Sequence, residues 1–152
     1  MIRPIAKLPH VPAQIRAALK LRSINTSDQL LAAAAKYSDR GALALAARIA
    51  PPRLTELVRR ADLARIRGTG CVFSQMLVDL DITDVSTLAE QDPSLLHQRL
   101  QDHNAQTRIA RRSPTAAEVA DWIRQARRLP QLVTYGPHDT RSTNAGSRTQ
   151  RA

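Results

Sequence analysis

Leu63-Ala64-Arg65-Ile66-Arg67-Gly68-Thr69-Gly70-Cys71-Val72-Phe73-Ser74-Gln75-Met76-Leu77 is the stretch that decides the fold. It reads as the end of one helix, a tight reversal at two glycines one residue apart, and the start of another helix. Glycine tolerates positive φ, so the chain can turn back within a few residues. Such a turn leaves backbone N–H groups pointing outward at the start of the next helix. There the helix dipole adds to their attraction for a phosphate oxygen.

Working outward, the same pattern recurs upstream. Leu8-Pro9-His10-Val11-Pro12 lines up with Ile66-Arg67-Gly68-Thr69-Gly70 at a shift of 58, which also puts Leu19 on Leu77, Ile24 on Ile82 and Leu30 on Leu88. Leu54, Leu57, Val58, Ala61 and Ala64 match Val119, Trp122, Ile123, Ala126 and Leu129 at a shift of 65. Both sets step i, i+3, i+4, i+7, i+10, the apolar stripe of an amphipathic helix. The chain therefore divides into a first unit over 1–65, with a degenerate hairpin, and a second over 66–135. Leu57, Val58, Trp122 and Ile123 are expected to pack the two units together. Thr26 with Gln29 forms a helix start of the capping-box kind. Pro51-Pro52 opens a basic helix running to about Ile66, and Asp92-Pro93 and Ser113-Pro114 open two more. Leu129-Pro130 closes the last.

Composition supports an all-α fold. The 152 residues are 43% hydrophobic, mostly Ala and Leu, with Tyr37, Phe73, Trp122 and Tyr135 as the full set of aromatics. Ala and Leu favour helix, whereas strands prefer β-branched and aromatic side chains. Cys71 is the single cysteine, so neither an intramolecular disulfide nor a thiolate cluster can form. No segment reads as a signal peptide or a membrane span, which points to a cytoplasmic protein. From Gly136 onward the chain is polar, and 136–152 is expected to be a disordered basic tail.

The segments Arg60–Gly70, Asp81–Ala89, Leu96–Asn104 and Asp121–Pro130, with Val133-Thr134-Tyr135, make the chain from about 8 to 135 resemble a bacterial family of tandem helix-hairpin-helix proteins, domain of unknown function 4332. The resemblance implies two related helix-hairpin-helix units packed into one compact domain. The wider helix-hairpin-helix class implies contact with the nucleic-acid backbone without sequence preference.

The net charge of +10 makes nucleic acid, an acidic protein or an anionic surface the natural partner. Residues 1–67 hold 13 basic and 4 acidic side chains, 68–107 only Arg99 against six carboxylates, and 108–130 six basic and two acidic. The expected phosphate contacts are Gly68, Thr69 and Gly70 of the turn, Arg65 and Arg67 flanking it at the surface, and Arg59 and Arg60 up to two turns back. Two features oppose this. Cys71, Val72 and Phe73 follow the glycines where Lys or Arg would help. Pro12 has no N–H to offer in the first hairpin. A protein-interaction module using its acidic and basic faces is the alternative.

No catalytic group, metal site or cofactor is expected. His97 and His103 are six apart and complete no zinc set. Cys71 is expected to be a small buried residue beside Phe73. Trp122 falls in an apolar stripe and is expected in the core rather than stacked on a base.

Overall fold

The computed structural model describes residues 2–137 and 139. Among these the chain is all-helical, with no β-strand beyond a single bridge between Pro4 and Thr26. A 3-10 turn at Ile5–Lys7 precedes α1 (Ala13–Lys20), α2 (Ser27–Ala34), α3 (Tyr37–Ala47) and α4 (Pro51–Leu63). After the two-glycine turn come α5 (Gly70–Asp79), α6 (Val85–Ala89), α7 (Pro93–Thr107) and α8 (Ala116–Arg128).

The helix starts follow from local chemistry. The Thr26 hydroxyl accepts from the Gln29 N–H at 3.2 Å, and the Asp92 carboxylate from the Leu95 N–H at 3.0 Å, each satisfying a donor the helix cannot. Pro51 and Pro93 occupy first-turn positions, where a missing N–H costs nothing. The last helix departs from the expected Ser113 start. Thr115 and Glu118 form a reciprocal capping box there, while the Ser113 hydroxyl accepts from the Asn104 amide at 3.4 Å.

Some positions separated by 58 residues share local features, although Pro12 at φ −60° departs from Gly70 at 61°. His10 and Gly68 have φ of 52° and 95°, and Ser23 and Asp81 have 60° and 64°. The Ile24 N–H donates to the Leu19 carbonyl at 3.0 Å, and the Ile82 N–H to that of Leu77 at 2.9 Å. Thr26 caps α2 as Asp84 caps α6. Arg60 Nη1 on α4 donates to the His10 carbonyl, and Gln125 Nε2, 65 positions on in α8, to that of Arg67, one residue before the counterpart of His10, so each turn is held by the helix closing its half.

Two apolar cores form. The first gathers Ile5, Leu19, Leu30, Leu54, Leu57 and Val58; the second gathers Ile66, Met76, Leu77, Leu88, Trp122 and Ile123. This corrects the expected packing of the units through Leu57, Val58, Trp122 and Ile123, since each pair lies in its own core. The join is made by other residues. Helix α4 belongs to the first core but sends Leu63 into the second. Arg3 reaches from the N-terminal segment to the Ser74 hydroxyl of α5 at 3.2 Å. Val133, beyond α8, crosses back into the first core.

That returning strand of chain continues past the expected departure at Gly136. The Thr134 N–H donates to the Ala35 carbonyl at 3.0 Å, and the Tyr37 N–H to the Thr134 hydroxyl at 2.9 Å. Asp139 then pairs with Arg40 at 2.6 Å. The rest of the tail expected to be disordered, His138 and 140–152, lies outside the described residues.

Candidate nucleic-acid interface

The turn between α4 and α5 is built from both sides. Gln125 of α8 clamps it, its side-chain oxygen accepting from the Arg67 N–H at 2.8 Å and its amide donating to the Arg67 carbonyl at 2.9 Å. Gly68 follows at φ 95°, where a Cβ would lie 3.4 Å from the Trp122 indole nitrogen. Gly70, at φ 61°, has open space around its Cβ position. Thr69 between them is buried. Its hydroxyl donates to the Ile66 carbonyl at 3.4 Å and accepts from Ser74 at 3.1 Å. Thr69 therefore caps nothing, and no side chain accepts from the first N–H groups of α5, whose residues Gly70, Cys71 and Val72 are exposed; the Arg3 side chain donates to the Gly70 carbonyl at 3.4 Å.

The arginines expected around this turn divide sharply. Arg67 is exposed, and its side chain makes no hydrogen bond or ion pair among the described residues. Arg60 is half-buried and spends a donor on the His10 carbonyl at 3.2 Å. Arg65, expected at the surface, is instead drawn in. It pairs with Asp62 at 2.8 Å, donates to the Pro130 carbonyl at 2.8 Å, and its side chain is only 13% exposed. Burial pushes the Asp62 carboxyl up, and the Arg65 bond and the Val85 N–H oppose that rise.

Arg59, also expected to reach phosphate, is buried, with its guanidinium 4.8 Å from the centre of the Tyr135 ring. Tyr135 in turn donates to Asp84 at 2.7 Å. Its phenol is pushed up, chiefly by burial and then by the Asp84 charge and hydrogen bond, against the Arg59 cation. Arg59 and Arg65 are thus structural cations joining the two halves.

Sequence reasoning missed three other arginines. A groove of about 440 Å³ runs along the exposed start of α5, lined by Gly70, Val72, Phe73, Ile109 and Arg111. Arg111 is exposed, with no partner among the described residues. On α8, Arg124 is adjacent in sequence to Gln125, and Arg128 lies one turn on; both are exposed and equally unpaired there. Arg111 thus lines the groove beside Gly70, while Arg124 and Arg128 lie on the helix whose Gln125 clamps the turn. A stripe-based reading of α8 identifies its apolar face but not which turn the opposite face borders.

Phe73 is not open for stacking. The Arg112 guanidinium lies 5.5 Å from its ring centre, and the Trp122 ring lies 5.5 Å away at 49°. Arg112 is itself held by Glu118, whose carboxyl falls to about 2 under the Arg112 and Thr115 hydrogen bonds. Trp122 is 1% exposed, as its apolar stripe implies. Cys71 departs from expectation. It is exposed, because the second position of α5 faces the groove while Ser74, Met76 and Leu77 take the inward face. His103 lies 3.1 Å from Asp79, linking α7 to α5.

These features define a compact all-helical protein in which Gly68 and Gly70 are exposed near Arg67 and Arg111, both unpaired among the described residues. The profile of a domain of unknown function, DUF4332, matches residues 9–129, and the chain belongs to that family. No curated protein and no solved structure matches it. No helix among the described residues is long and apolar enough to cross a membrane.

Proposed function

We propose that this chain is a tandem helix-hairpin-helix protein that holds the phosphate backbone of double-stranded nucleic acid, without sequence specificity and without a catalytic step. The observation that carries this reading is the pair of exposed glycines, Gly68 and Gly70, at the uncapped start of α5 with exposed Arg67 and Arg111 nearby. The uncapped N–H groups and positive end of a ten-residue helix beside a groove with Arg111, unpaired among the described residues, suit an anion. The left-handed Ser23 and Asp81 and the paired Ile24–Leu19 and Ile82–Leu77 hydrogen bonds support a duplicated unit, with only the second turn carrying two glycines. The covered ring of Phe73 favours a duplex over a single strand, which binds by stacking on open aromatic faces. An exposed free thiol at Cys71 suits a reducing compartment, and we place the protein in the cytoplasm.

Anisotropy titrations with labelled duplexes of several sequences test this. Backbone contacts carry no sequence information, so the duplexes should bind alike. Affinity should fall with salt, and Arg67→Glu with Arg111→Glu should flatten the log–log slope by about 1.8 if each cation neutralises one phosphate. Absence of duplex binding at low salt would overturn the reading in favour of a protein-interaction module. Leu21 and Leu45, 89% and 84% exposed, are where a protein partner would then be sought.

A further inference from the structure

Residues 1–27 hold five Lys or Arg side chains and no carboxylate side chain. Two of the five are spent on the fold. Arg3 donates to the Ser74 hydroxyl at 3.2 Å and to the Gly70 carbonyl at 3.4 Å, and Arg22 donates to the Ala46 carbonyl at 2.8 Å. Lys7, Arg16 and Lys20 are exposed, and their side chains make no hydrogen bond or ion pair among the described residues. Lys20 lies in the last turn of α1, where a cation complements the negative end of the helix. Arg16 stands a turn earlier and has no such role.

Arg16 and Lys20 line a groove of about 380 Å³, together with Pro4 and Ile5 of the N-terminal segment and Asn25 beyond α1. No carboxylate lines it. Its shape is fixed by the core, because Ile5 is 1% exposed and its N–H donates to the Asn25 carbonyl at 2.9 Å. Asn25 is itself exposed, and its side-chain amide has no partner among the described residues, which leaves N–H donors for an anion. The groove adjoins the one along α5. Pro4 lines the first, and Arg3, next to it in the chain, touches Gly70, which lines the second. A duplex carries one phosphate charge per roughly 1.7 Å of its axis. Backbone seated on Gly70 and Arg111 therefore brings further phosphates towards a cationic groove one arginine side chain away.

We propose that Arg16, Lys20 and Asn25 form a second contact for the nucleic-acid backbone, supplied by the first half of the chain, an inference that rests on the backbone-binding reading above. The first half's own turn is poorer in donors, since Pro12 stands where the second half has Gly70 and carries no N–H. Its contact is made by side chains instead, with charge from Arg16 and Lys20 and hydrogen bonds from Asn25.

The test titrates the full chain and the variant Arg16→Gln/Lys20→Gln against a duplex of about 20 base pairs between about 50 and 200 mM salt. Two lost phosphate contacts should lower the log–log salt slope by about 1.8. At that slope the deficit shrinks about twelvefold across the range, so at the lowest salt the variant should bind at least about twelvefold more weakly. Lys36→Gln/Arg53→Gln removes the same charge from two other exposed cations of the first half, unpaired among the described residues, and should leave the slope unchanged. If both variants lower the slope alike, the effect is one of net charge and the inference is overturned. An Arg16→Gln/Lys20→Gln protein with the parent's affinity and slope also overturns it, and leaves the α5 groove reading standing provided Arg67→Glu/Arg111→Glu still loses affinity. A parent chain that binds no duplex overturns both.

Discussion

Arg40 and Asp139 stand 99 positions apart in the chain and 2.6 Å apart in the fold. Their side chains are 3% and 10% exposed, so the pair replaces hydration that neither charge could otherwise recover. The contact makes the first core depend on chain that follows α8. Val133 enters that core, Tyr135 carries the link on to Asp84 of the second half, and Asp139 closes it. This strap of chain thus ties together two halves with separate cores, alongside Leu63 of α4 and the Arg3–Ser74 hydrogen bond.

Asp139→Ala is expected to cost about 3 kcal/mol, because it leaves a buried guanidinium without its counter-charge. For a chain of this length that lowers the melting temperature by roughly 6–12 °C. Truncation after Tyr135 should do the same. The effect also has a pH signature. Burial alone would raise the Asp139 carboxyl, but the Gly136 N–H, Arg40 and Thr55 together hold it below its ordinary value. Its contribution is therefore present above the unfolded value of about 3.9 and disappears as pH falls through the lower folded value. Melting curves of parent and variant should converge in that acid range. An unchanged midpoint at neutral pH would show that the clasp contributes nothing.

The two turn glycines should not respond alike to substitution. Gly70 sits at φ 61° with open space, so Gly70→Ala enters the left-handed well at about 1 kcal/mol. Gly68 sits at φ 95°, outside that well, and an added Cβ lies 3.4 Å from the Trp122 indole nitrogen. Gly68→Ala is expected to cost about 2–3 kcal/mol. Urea unfolding of the two variants checks the order, and the reverse order would contradict the described turn.

Trp122→Ala removes the largest fully buried side chain from the second core, where it packs against Phe73 and faces Gly68. A loss of about 3–5 kcal/mol is expected. If stability barely changes and duplex binding falls instead, Trp122 acts as a recognition residue and its core assignment is wrong.

Much of the fold is legible because its signals are local. Pro51, Asp92-Pro93 and Thr26 mark helix starts through single hydrogen bonds or missing donors, and those need no tertiary context. The apolar stripe of α4 is equally plain, yet it misleads about Arg59. That helix is buried on more than one face, carrying Thr55, Arg59 and Asp62 inside as well as Leu54 and Val58. It packs against α2 and α3 on one side and α6 on another. A stripe reports only the apolar face. Which polar residues are buried depends on Tyr135, Asp139 and Val85, far away in sequence, and the same is true of Arg111 beside the α5 groove.

Arg65 and Arg111 give the sharpest separation of stability from binding. From the sequence, Arg65 beside Gly68 looks like a phosphate ligand and Arg111 looks like one more surface charge. The structure reverses their surroundings. Arg65 neutralises Asp62 and ties α4 to the chain beyond α8, whereas Arg111 stands unpaired, among the described residues, beside the exposed start of α5. Arg65→Glu would set a second carboxylate against a buried one, and a loss of about 3 kcal/mol is expected. Arg111→Glu should change stability by no more than about 0.5 kcal/mol, as an exposed side chain with no partner among the described residues. In duplex titrations the Arg111 variant should lower the salt slope by about 0.9. Thermal melts and titrations on the same preparations decide the assignment. An Arg65→Glu protein that melts like the parent but binds duplex poorly would return Arg65 to the interface and refute its role as the partner of Asp62.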